Sequence, residues 1–414
     1  MACALRLVAA MTPETPAAVA WTCPFCALLC DEFELAGERL RGSDCPRAHA
    51  ALAAHGGATG QPSVDGVPAD ADAALAEAAR RLAAWRQPLF GGLGTDVAGA
   101  RALVRLAQRT GAVCDHADGA SLMHGVRALQ DRGQYTTTLA ELRTRADLVV
   151  CVGTDGVSRH PEFFRRAGLL GDEGPARTLV FLGATAAGGL PARITVETVA
   201  GTGDGFADLR QLGALAAGAR VPGADPGLAA LAARLQAARY AVLVWEPARL
   251  PAHGALWAEQ LNRLVVTLNA RTRAASLALG GGDGASAANQ VFTWLTGLPL
   301  RTRAGAAGLD HDPLRFDGAR LVADGAVDGV LWISTFDPAR LPPPGLPRIV
   351  LGPPAMAARA AGPGCVFLPV ATPGLNAPGH LFRTDGIVVV PLVAARDDGL
   401  RGVADVVRAL EAAL

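Results

Sequence analysis

The sequence contains no lysine, so every one of its 38 fixed basic side chains is an arginine. This absence excludes Schiff-base catalysis and a P-loop nucleotide site, because both require a lysine amine. The chain also lacks an excess of charge of either sign, since 38 acidic residues balance the arginines. A balanced chain is not expected to bind nucleic acid, which needs a net or clustered basic surface.

Long apolar runs are missing too, and no stretch is long enough to predict a membrane span. A short apolar run lies near the start, but Arg6 interrupts it and no basic segment precedes it. We therefore predict that residues 1–20 form a flexible extension rather than a secretion signal, and we expect a cytoplasmic protein. The nucleophile motif G-x-S-x-G is also absent, which disfavours an independent serine hydrolase.

Apolar residues make up half of the 414 positions, enough for two or three packed domains. Short apolar runs, typical of buried strands, alternate with amphipathic helical patterns, and this alternation predicts an α/β fold with doubly wound parallel sheets. A Gly/Pro-rich linker is predicted at residues 57–68. Strands are predicted at 148–152, 179–182, 241–245, 264–268, 330–333, 349–351 and 388–390. Helices are predicted at 70–86, 97–109, 206–216, 227–238 and 253–262.

Four of the eight cysteines fall within one short N-terminal segment. They are Cys23, Cys26 and Cys30, followed by Cys45, and they define a small Cys-bearing module at residues 21–60. Thiolates at this spacing can bind a [4Fe–4S] cluster or a tetrahedral zinc ion. The alternative is a degenerate ligand set that binds nothing. Disulfides are disfavoured in a cytoplasmic chain.

Other polar and glycine-rich motifs give weaker signals. The Gly-rich segments 90–95, 152–156 and 279–284 follow predicted strands, but none matches G-x-G-x-x-G, so ordinary turns are favoured. Asp115, His116 and Asp118 are close together, but their spacing fits neither a zinc nor a calcium site, and we predict a polar turn. The remaining thiols in predicted elements are interpreted as packed core residues: Cys114, Cys151 and Cys365.

Four segments in this order resemble the B subunit of formylmethanofuran dehydrogenase, a molybdopterin oxidoreductase. They resemble still more its counterpart in the formyltransferase/hydrolase complex of methylotrophs. The resemblance covers about residues 20–395. It implies a molybdopterin-oxidoreductase-like multidomain architecture, with α/β core domains over 61–350 and a C-terminal segment, 351–414, that completes the core. The four segments are 23–31 with Asp44-Cys45, 90–95 through 120–125, 288–297, and 371–379 with 383–386.

In that family the four N-terminal cysteines bind a [4Fe–4S] cluster that serves a tungsten or molybdenum held by two pterin dinucleotides. Met123 stands where the catalytic members have the metal-ligating cysteine, and a neutral thioether cannot become an anionic ligand. His124 remains, and we expect a buried, hydrogen-bonded histidine rather than a relict acid or base. Residues 280–284 are Gly-Gly-Gly-Asp-Gly where active members carry an Arg-Gly-His-Tyr-like run.

These departures imply a vestigial site at Met123 and His124, without a tungsten or molybdenum pterin. The resemblance then implies a structural, redox-inactive B subunit in tetrahydromethanopterin- and methanofuran-linked formaldehyde oxidation. Its partners would be hydrolase and formyltransferase subunits, together with a methanofuran-like carrier. The alternative is an active tungsten or molybdenum oxidoreductase subunit that holds its metal without a protein thiolate.

Overall fold

A computed structural model describes residues 18–57 and 59–414 of the chain. Most of the predicted extension, residues 1–17, lies outside the described residues, and Val19 already belongs to the first strand. The helices are α1 (Pro46–His55), α2 (Ala71–Ala84), α3 (Val97–Thr110), α4 (Gly119–Arg132), α5 (Leu139–Arg145), α6 (Phe163–Arg166), α7 (Gly205–Ala216), α8 (Pro226–Ala237), α9 (Gly254–Leu268), α10 (Ala285–Thr296), α11 (Gly318–Ala323), α12 (Ala357–Ala360) and α13 (Val403–Ala413).

Most predicted strands appear within a residue or two of the expected bounds. The strands are β1 (Val19–Trp21), β2 (Phe33–Ala36), β3 (Arg39–Arg41), β4 (Ser63–Val64), β5 (Val67–Pro68), β6 (Pro88–Gly94), β7 (Val113–Cys114), β8 (Leu148–Val152), β9 (Arg177–Leu182), β10 (Ile194–Val199), β11 (Tyr240–Trp245), β12 (Arg273–Ala278), β13 (Thr302–Gly305), β14 (Gly308–His311), β15 (Gly329–Ser334), β16 (Arg348–Gly352), β17 (Cys365–Pro369), β18 (Gly379–Phe382) and β19 (Val389–Leu392).

A parallel five-stranded sheet is built from one continuous stretch of chain, in the order β10-β9-β8-β11-β12. The chain runs outward from β8 through β9 to β10 and then returns to the other side of β8 as β11. Loops after β8 and β11 therefore leave the sheet at a point where the strand order reverses, the usual place for ligands in such folds. Strands β8 and β11 are buried along their whole length, which explains their continuous apolar sequence.

The larger sheet has nine strands, in the order β14-β13-β7-β6-β15-β16-β17-β4-β5. Its centre, from β7 to β17, is parallel, and antiparallel strands form both edges. Its strands come from the chain segments that precede and follow the five-stranded sheet in the sequence. The predicted linker 57–68 is wrong in its second half, because β4 and β5 pair there as a hairpin at the sheet edge.

Two strand predictions were also wrong in kind. The run 264–268 is the last part of α9, where Leu261, Leu264 and Leu268 are buried at helical spacing; the strand follows at β12. The run 388–390 contributes to β19, which pairs antiparallel with β18 and alternates between exposed and buried residues. A short apolar run alone does not distinguish these alternatives.

The N-terminal module consists of an antiparallel sheet of β1, β2 and β3 followed by α1. Its buried residues share one hydrophobic cluster with the five-stranded sheet and with β18 and β19. The C-terminal helix α13 packs on α2 and α3 beside the larger sheet. No helix of the described residues is long and apolar enough to cross a membrane.

Candidate functional site

The four cysteines of the N-terminal module are all buried, and none forms a disulfide. Three of them lie on the loop between β1 and β2, where the Cys23 N–H donates to the Cys30 carbonyl at 2.9 Å. Cys45 immediately precedes α1, and its N–H donates to the Ser43 hydroxyl at 3.0 Å. Cys45 interacts electrostatically with Cys23 and Cys26, so the fold brings the distal cysteine back near these two.

Burial dominates the electrostatics of these thiols. It raises the pKa of Cys23 well above its ordinary value, and the neighbouring Cys26 thiol raises it further, with smaller contributions from Cys30 and Cys45. Burial also raises the pKa of Cys26, while the Arg47 guanidinium and backbone N–H groups oppose that rise. Because neighbouring thiolates would repel one another, buried thiols of this kind stay protonated and neutral unless a cation compensates the thiolate charge.

The donor set is chemically that of an iron–sulfur or zinc site, since hydrogen bonds to sulfur and nearby arginines suit a bound thiolate. Arg166 and Arg165 act on Cys30 in the same sense as Arg47 acts on Cys26. Across residues 18–57 and 59–414, however, no three His, Cys, Asp or Glu side chains are arranged as a metal ion requires. The metal assignment of Cys23, Cys26, Cys30 and Cys45 stays a prediction.

A cavity of about 410 Å³ adjoins this module and lies near the ends of strands from both large sheets. Cys26 and Arg47 form its wall on the module side, and the Gly-rich loop 279–284 forms another wall. Thr384 closes the junction, because its N–H donates to the Ala27 carbonyl at 2.7 Å and its hydroxyl to the Ala278 carbonyl at 2.8 Å. All four segments that carry the family resemblance contribute to the cavity lining, through residues such as Ala27, Ser121, Asn289 and Thr384.

Met123 does not face this cavity. It lies in α4 with 2% of its surface exposed, and it packs in the hydrophobic cluster between α3, α10 and the larger sheet. The cavity side of α4 consists of Leu122, Gly125 and Val126 instead. The residue at the expected metal-ligand position is thus both a thioether and a core residue.

His124 differs from its expectation. It is half-buried rather than buried, and no hydrogen bond of its ring occurs among the described residues. A Cβ on Gly254 would lie 2.7 Å from its ring, so the side chain packs against the start of α9. Burial lowers its pKa, and Arg127 adds to that effect. His124 is absent from the cavity lining, so the predicted pair Met123–His124 does not form one site.

Asp283 is the most unusual side chain on the cavity wall. It adopts a left-handed backbone, with φ of 54°, in the Gly-rich loop. Neither carboxylate oxygen has a hydrogen-bond partner within the described residues, although Arg340 Nε lies 3.2 Å from Oδ2. Burial raises its pKa to about 7, and the Arg340 guanidinium only partly offsets that rise. A carboxyl group of this kind changes charge near neutral pH.

Other buried polar atoms on the wall are also unpaired within the described part of the chain. They are His160 Nδ1, Trp245 Nε1 and Asp385 Oδ1. Burial lowers the pKa of His160 to about 4, so its ring is neutral. Such atoms normally bind a ligand or ordered water. The cavity is therefore suited to a small polar molecule, but Cys26 is the only thiol among its described lining residues.

The Asp115–His116–Asp118 segment is a polar turn after β7, as predicted. Asp115 pairs with the buried Arg301, whose Nε lies 3.2 Å from Oδ1, and burial raises the Asp115 pKa to about 6. His116 Nδ1 accepts from the Asp118 N–H at 2.9 Å. The three side chains thus serve different contacts. Cys114, Cys151 and Cys365 are buried in strands, which confirms their interpretation as core thiols.

Sequence reasoning missed Asp283 and Arg340 as a pair, although it singled out the loop that carries Asp283. A lone acid inside a Gly-rich loop between a strand and a helix is the signal that could have identified it. Arg340 comes from the loop after β15, far along the chain, and nothing in the sequence joins the two.

A second cavity, of about 760 Å³, lies at the carboxyl ends of β8, β9 and β11 and is bordered by the buried Glu246.

Comparisons with known proteins give a consistent picture, although no family model matches the chain. It is 36% identical over 287 residues to the B subunit of the formyltransferase/hydrolase complex Fhc of Methylorubrum extorquens, covering 67% of this chain and 75% of that protein. It is 32% identical over 159 residues to the B subunit of the tungsten-containing formylmethanofuran dehydrogenase 2 of Methanococcus maripaludis, covering 35% of this chain and 36% of that protein.

A solved structure matches over most of the chain. It is the crystal structure of the formyltransferase/hydrolase complex FhcABCD from Methylorubrum extorquens in complex with methylofuran. One of its chains is 32% identical, with a TM-score of 0.73, and the match covers 85% of this chain and 98% of that one. The predicted fold class and family resemblance are confirmed.

Proposed function

The chain belongs to the family of the B subunits of formyltransferase/hydrolase complexes, and we propose that it is the structural, redox-inactive B subunit of such a complex. The complex transfers a formyl group from a tetrahydropterin to a methanofuran-like carrier and releases formate by hydrolysis. Neither step changes the oxidation state of the formyl carbon, so the B subunit needs no redox centre. Its partners are the hydrolase and formyltransferase subunits, and the carrier binds within the assembly.

Met123 is the main observation that supports a redox-inactive subunit. A tungsten or molybdenum centre of this family needs an anionic sulfur ligand from the protein at that position, and a thioether cannot supply one. The side chain also packs into the core. The Gly-rich loop 279–284 adds no basic side chain to the cavity wall. The residues present therefore do not fit a catalytic pterin metal.

We further propose that Cys23, Cys26, Cys30 and Cys45 hold a [4Fe–4S] cluster or a zinc ion with a structural role. Four buried thiols with neighbouring arginines suit such a group, which would remove the cost of burying them as a coupled set. Their side chains would have to rotate toward a common point. A metal site built from free thiols fits a cytoplasmic location, which we also propose.

Metal analysis of the complex, purified without oxygen, tests these proposals. We expect neither tungsten nor molybdenum, with about four irons or one zinc per chain. Tungsten or molybdenum near one per chain would overturn the redox-inactive assignment and support an active oxidoreductase. Absence of iron and zinc would overturn only the metal assignment of the four cysteines.

A variant tests the role of Met123 directly. We expect Met123→Cys to show no viologen-linked formate oxidation, because the new thiol would lie in the hydrophobic core rather than on the cavity wall. Cys114→Ser, which alters another buried thiol, is the control for nonspecific effects on assembly. Measurable formate oxidation by Met123→Cys would contradict the proposal.

A further inference from the structure

A set of exposed, uncharged apolar residues lies beside the cavity. It is formed by Trp294 on α10 and by Ile387, Val389, Pro391 and Val393 on and around β19; we call it the α10–β19 face. All five residues are exposed, with Trp294 at 59%, Ile387 at 62% and Val393 at 61%. Exposed apolar residues scattered singly are ordinary, whereas a contiguous set calls for a partner.

The contacts show that this face is contiguous. The Trp294 ring lies 5.1 Å, centroid to centroid, from the Phe382 ring in β18. Phe382 is in turn the cross-strand neighbour of Val389 in β19. A Cβ on Gly386 would lie 3.8 Å from the side chain of Gln290, one turn before Trp294, which brings Ile387 alongside α10.

Strand β19 lacks the alternation of apolar and polar residues that a surface strand normally shows. Val390 and Leu392 point inward and are buried, while the outward positions Val389, Pro391 and Val393 are also apolar. A strand with one solvated face normally places polar residues on that face. Here both faces are apolar, as in a strand that is covered on both sides.

Charge is missing from both segments. Residues 284–300 and 386–395 contain no Asp, Glu or Arg, in a chain in which 18% of the residues are charged. The buried centres of protein interfaces are depleted in charged residues and enriched in tryptophan, and permanent complexes have the more apolar interfaces. The absence of charge favours an equally uncharged, apolar partner surface.

The face also adjoins the mouth of the cavity. Ile387 and Gln290 line the cavity, and because Ile387 is largely exposed, the cavity reaches the surface there. A protein seated on the α10–β19 face would cover this opening. It would thereby separate from bulk water the carboxylate oxygens on the cavity wall that have no hydrogen-bond partner within the described residues, those of Asp283 and Oδ1 of Asp385.

We propose that the α10–β19 face is the surface on which a partner subunit of the complex docks permanently, through an uncharged apolar face of its own, and that docking closes the cavity mouth. This inference rests on the proposed function, since it requires an assembly with a subunit of different sequence. It adds the location and the chemistry of the contact.

Co-expression with the hydrolase and formyltransferase subunits, followed by affinity purification on this chain, is the first test. Val393→Asp is compared with Val67→Asp, the same change at a valine that is 66% exposed in the β4–β5 hairpin outside this face. We expect Val393→Asp and Trp294→Ala each to weaken partner retention about thirtyfold, as for central interface residues, and Val67→Asp to leave it unchanged.

Hydroxyl-radical footprinting of the intact wild-type complex supplies a readout that needs no variant. We expect Trp294 to be protected, although more than half of its surface is exposed in the chain alone. Full labelling of Trp294 in the complex, or undiminished retention of partners by both face variants, would overturn the proposal. Self-association of the chain through this face would overturn it too. Failure of the wild-type chain to retain any partner would instead refute the proposed function.

Discussion

The buried carboxyl group of Asp283 makes the stability of this protein depend on pH in a way that one substitution should remove. Its pKa is raised from 3.8 to about 7, chiefly by burial. Because the folded-state pKa lies above the unfolded one, the favourable contribution of the protonated form is complete below pH 3.8. It is lost progressively as the pH rises to about 7.

The magnitude follows from the two pKa values. Linkage gives a destabilisation of about 2 kcal/mol at pH 5 and about 4 kcal/mol at pH 8 from the ionisation of Asp283. Asp283→Asn removes that ionisation. We therefore expect the free energy of unfolding of the variant, relative to wild type, to rise by about 2 to 3 kcal/mol between these pH values. Any constant cost of the buried amide cancels from this difference.

Denaturant unfolding of both proteins at pH 5 and pH 8 measures this difference. Asp118→Asn is the matched control, because Asp118 also pairs with Arg340, at 2.9 Å, but 41% of its side chain is exposed. An exposed pair of this kind should change stability by less than about 1 kcal/mol at either pH. An equal effect of Asp283→Asn at the two pH values would refute the reasoning, as would a loss of stability that grows toward pH 8.

Three further predictions concern the loop, the core ion pair and the thiol site. Gly284→Ala should destabilise the fold by about 3 kcal/mol or more in denaturant unfolding, because the new Cβ would lie 2.7 Å from the backbone nitrogen of Thr95. Gly297 is the control, because it has a similar φ and no close neighbour, and Gly297→Ala should cost only about 1 kcal/mol. Arg301→Met should cost about 3 to 5 kcal/mol in the same assay, since it leaves Asp115 buried without its cation; a loss below about 1 kcal/mol would show that the pair is not needed. Cys26→Ser should lower the yield and melting temperature of the complex without changing formyl transfer by the assembled fraction, and unchanged yield and melting temperature would exclude a structural metal there.

The family and the fold class could be predicted because they depend on local patterns. Strands such as β8, β11 and β15 are buried on both faces, so they appear as continuous apolar runs. Regular helices such as α3 and α7 show their periodicity directly. The same rule failed at residues 264–268, where the last turn of α9 is as apolar as a strand.

The linker at 57–68 failed for a related reason. A Gly/Pro-rich segment predicts a break in regular structure, but β4 pairs with β17, whose sequence position is some 300 residues later. Only the partner strand makes the segment part of a sheet, and sequence-local signals do not contain that partner.

The sequence alone excludes an anionic metal ligand at position 123, because the thioether of Met123 cannot ionise in any surroundings. Only the tertiary structure decided that this side chain packs into the core and that His124 lies elsewhere. Likewise, the composition of the loop 279–284 is plain in the sequence, but the environment of Asp283 is not. Desolvation raises the pKa of Asp283 and Arg340 partly offsets that rise. Both effects come from segments distant in the chain, and burial is a property of the packed fold rather than of any residue alone.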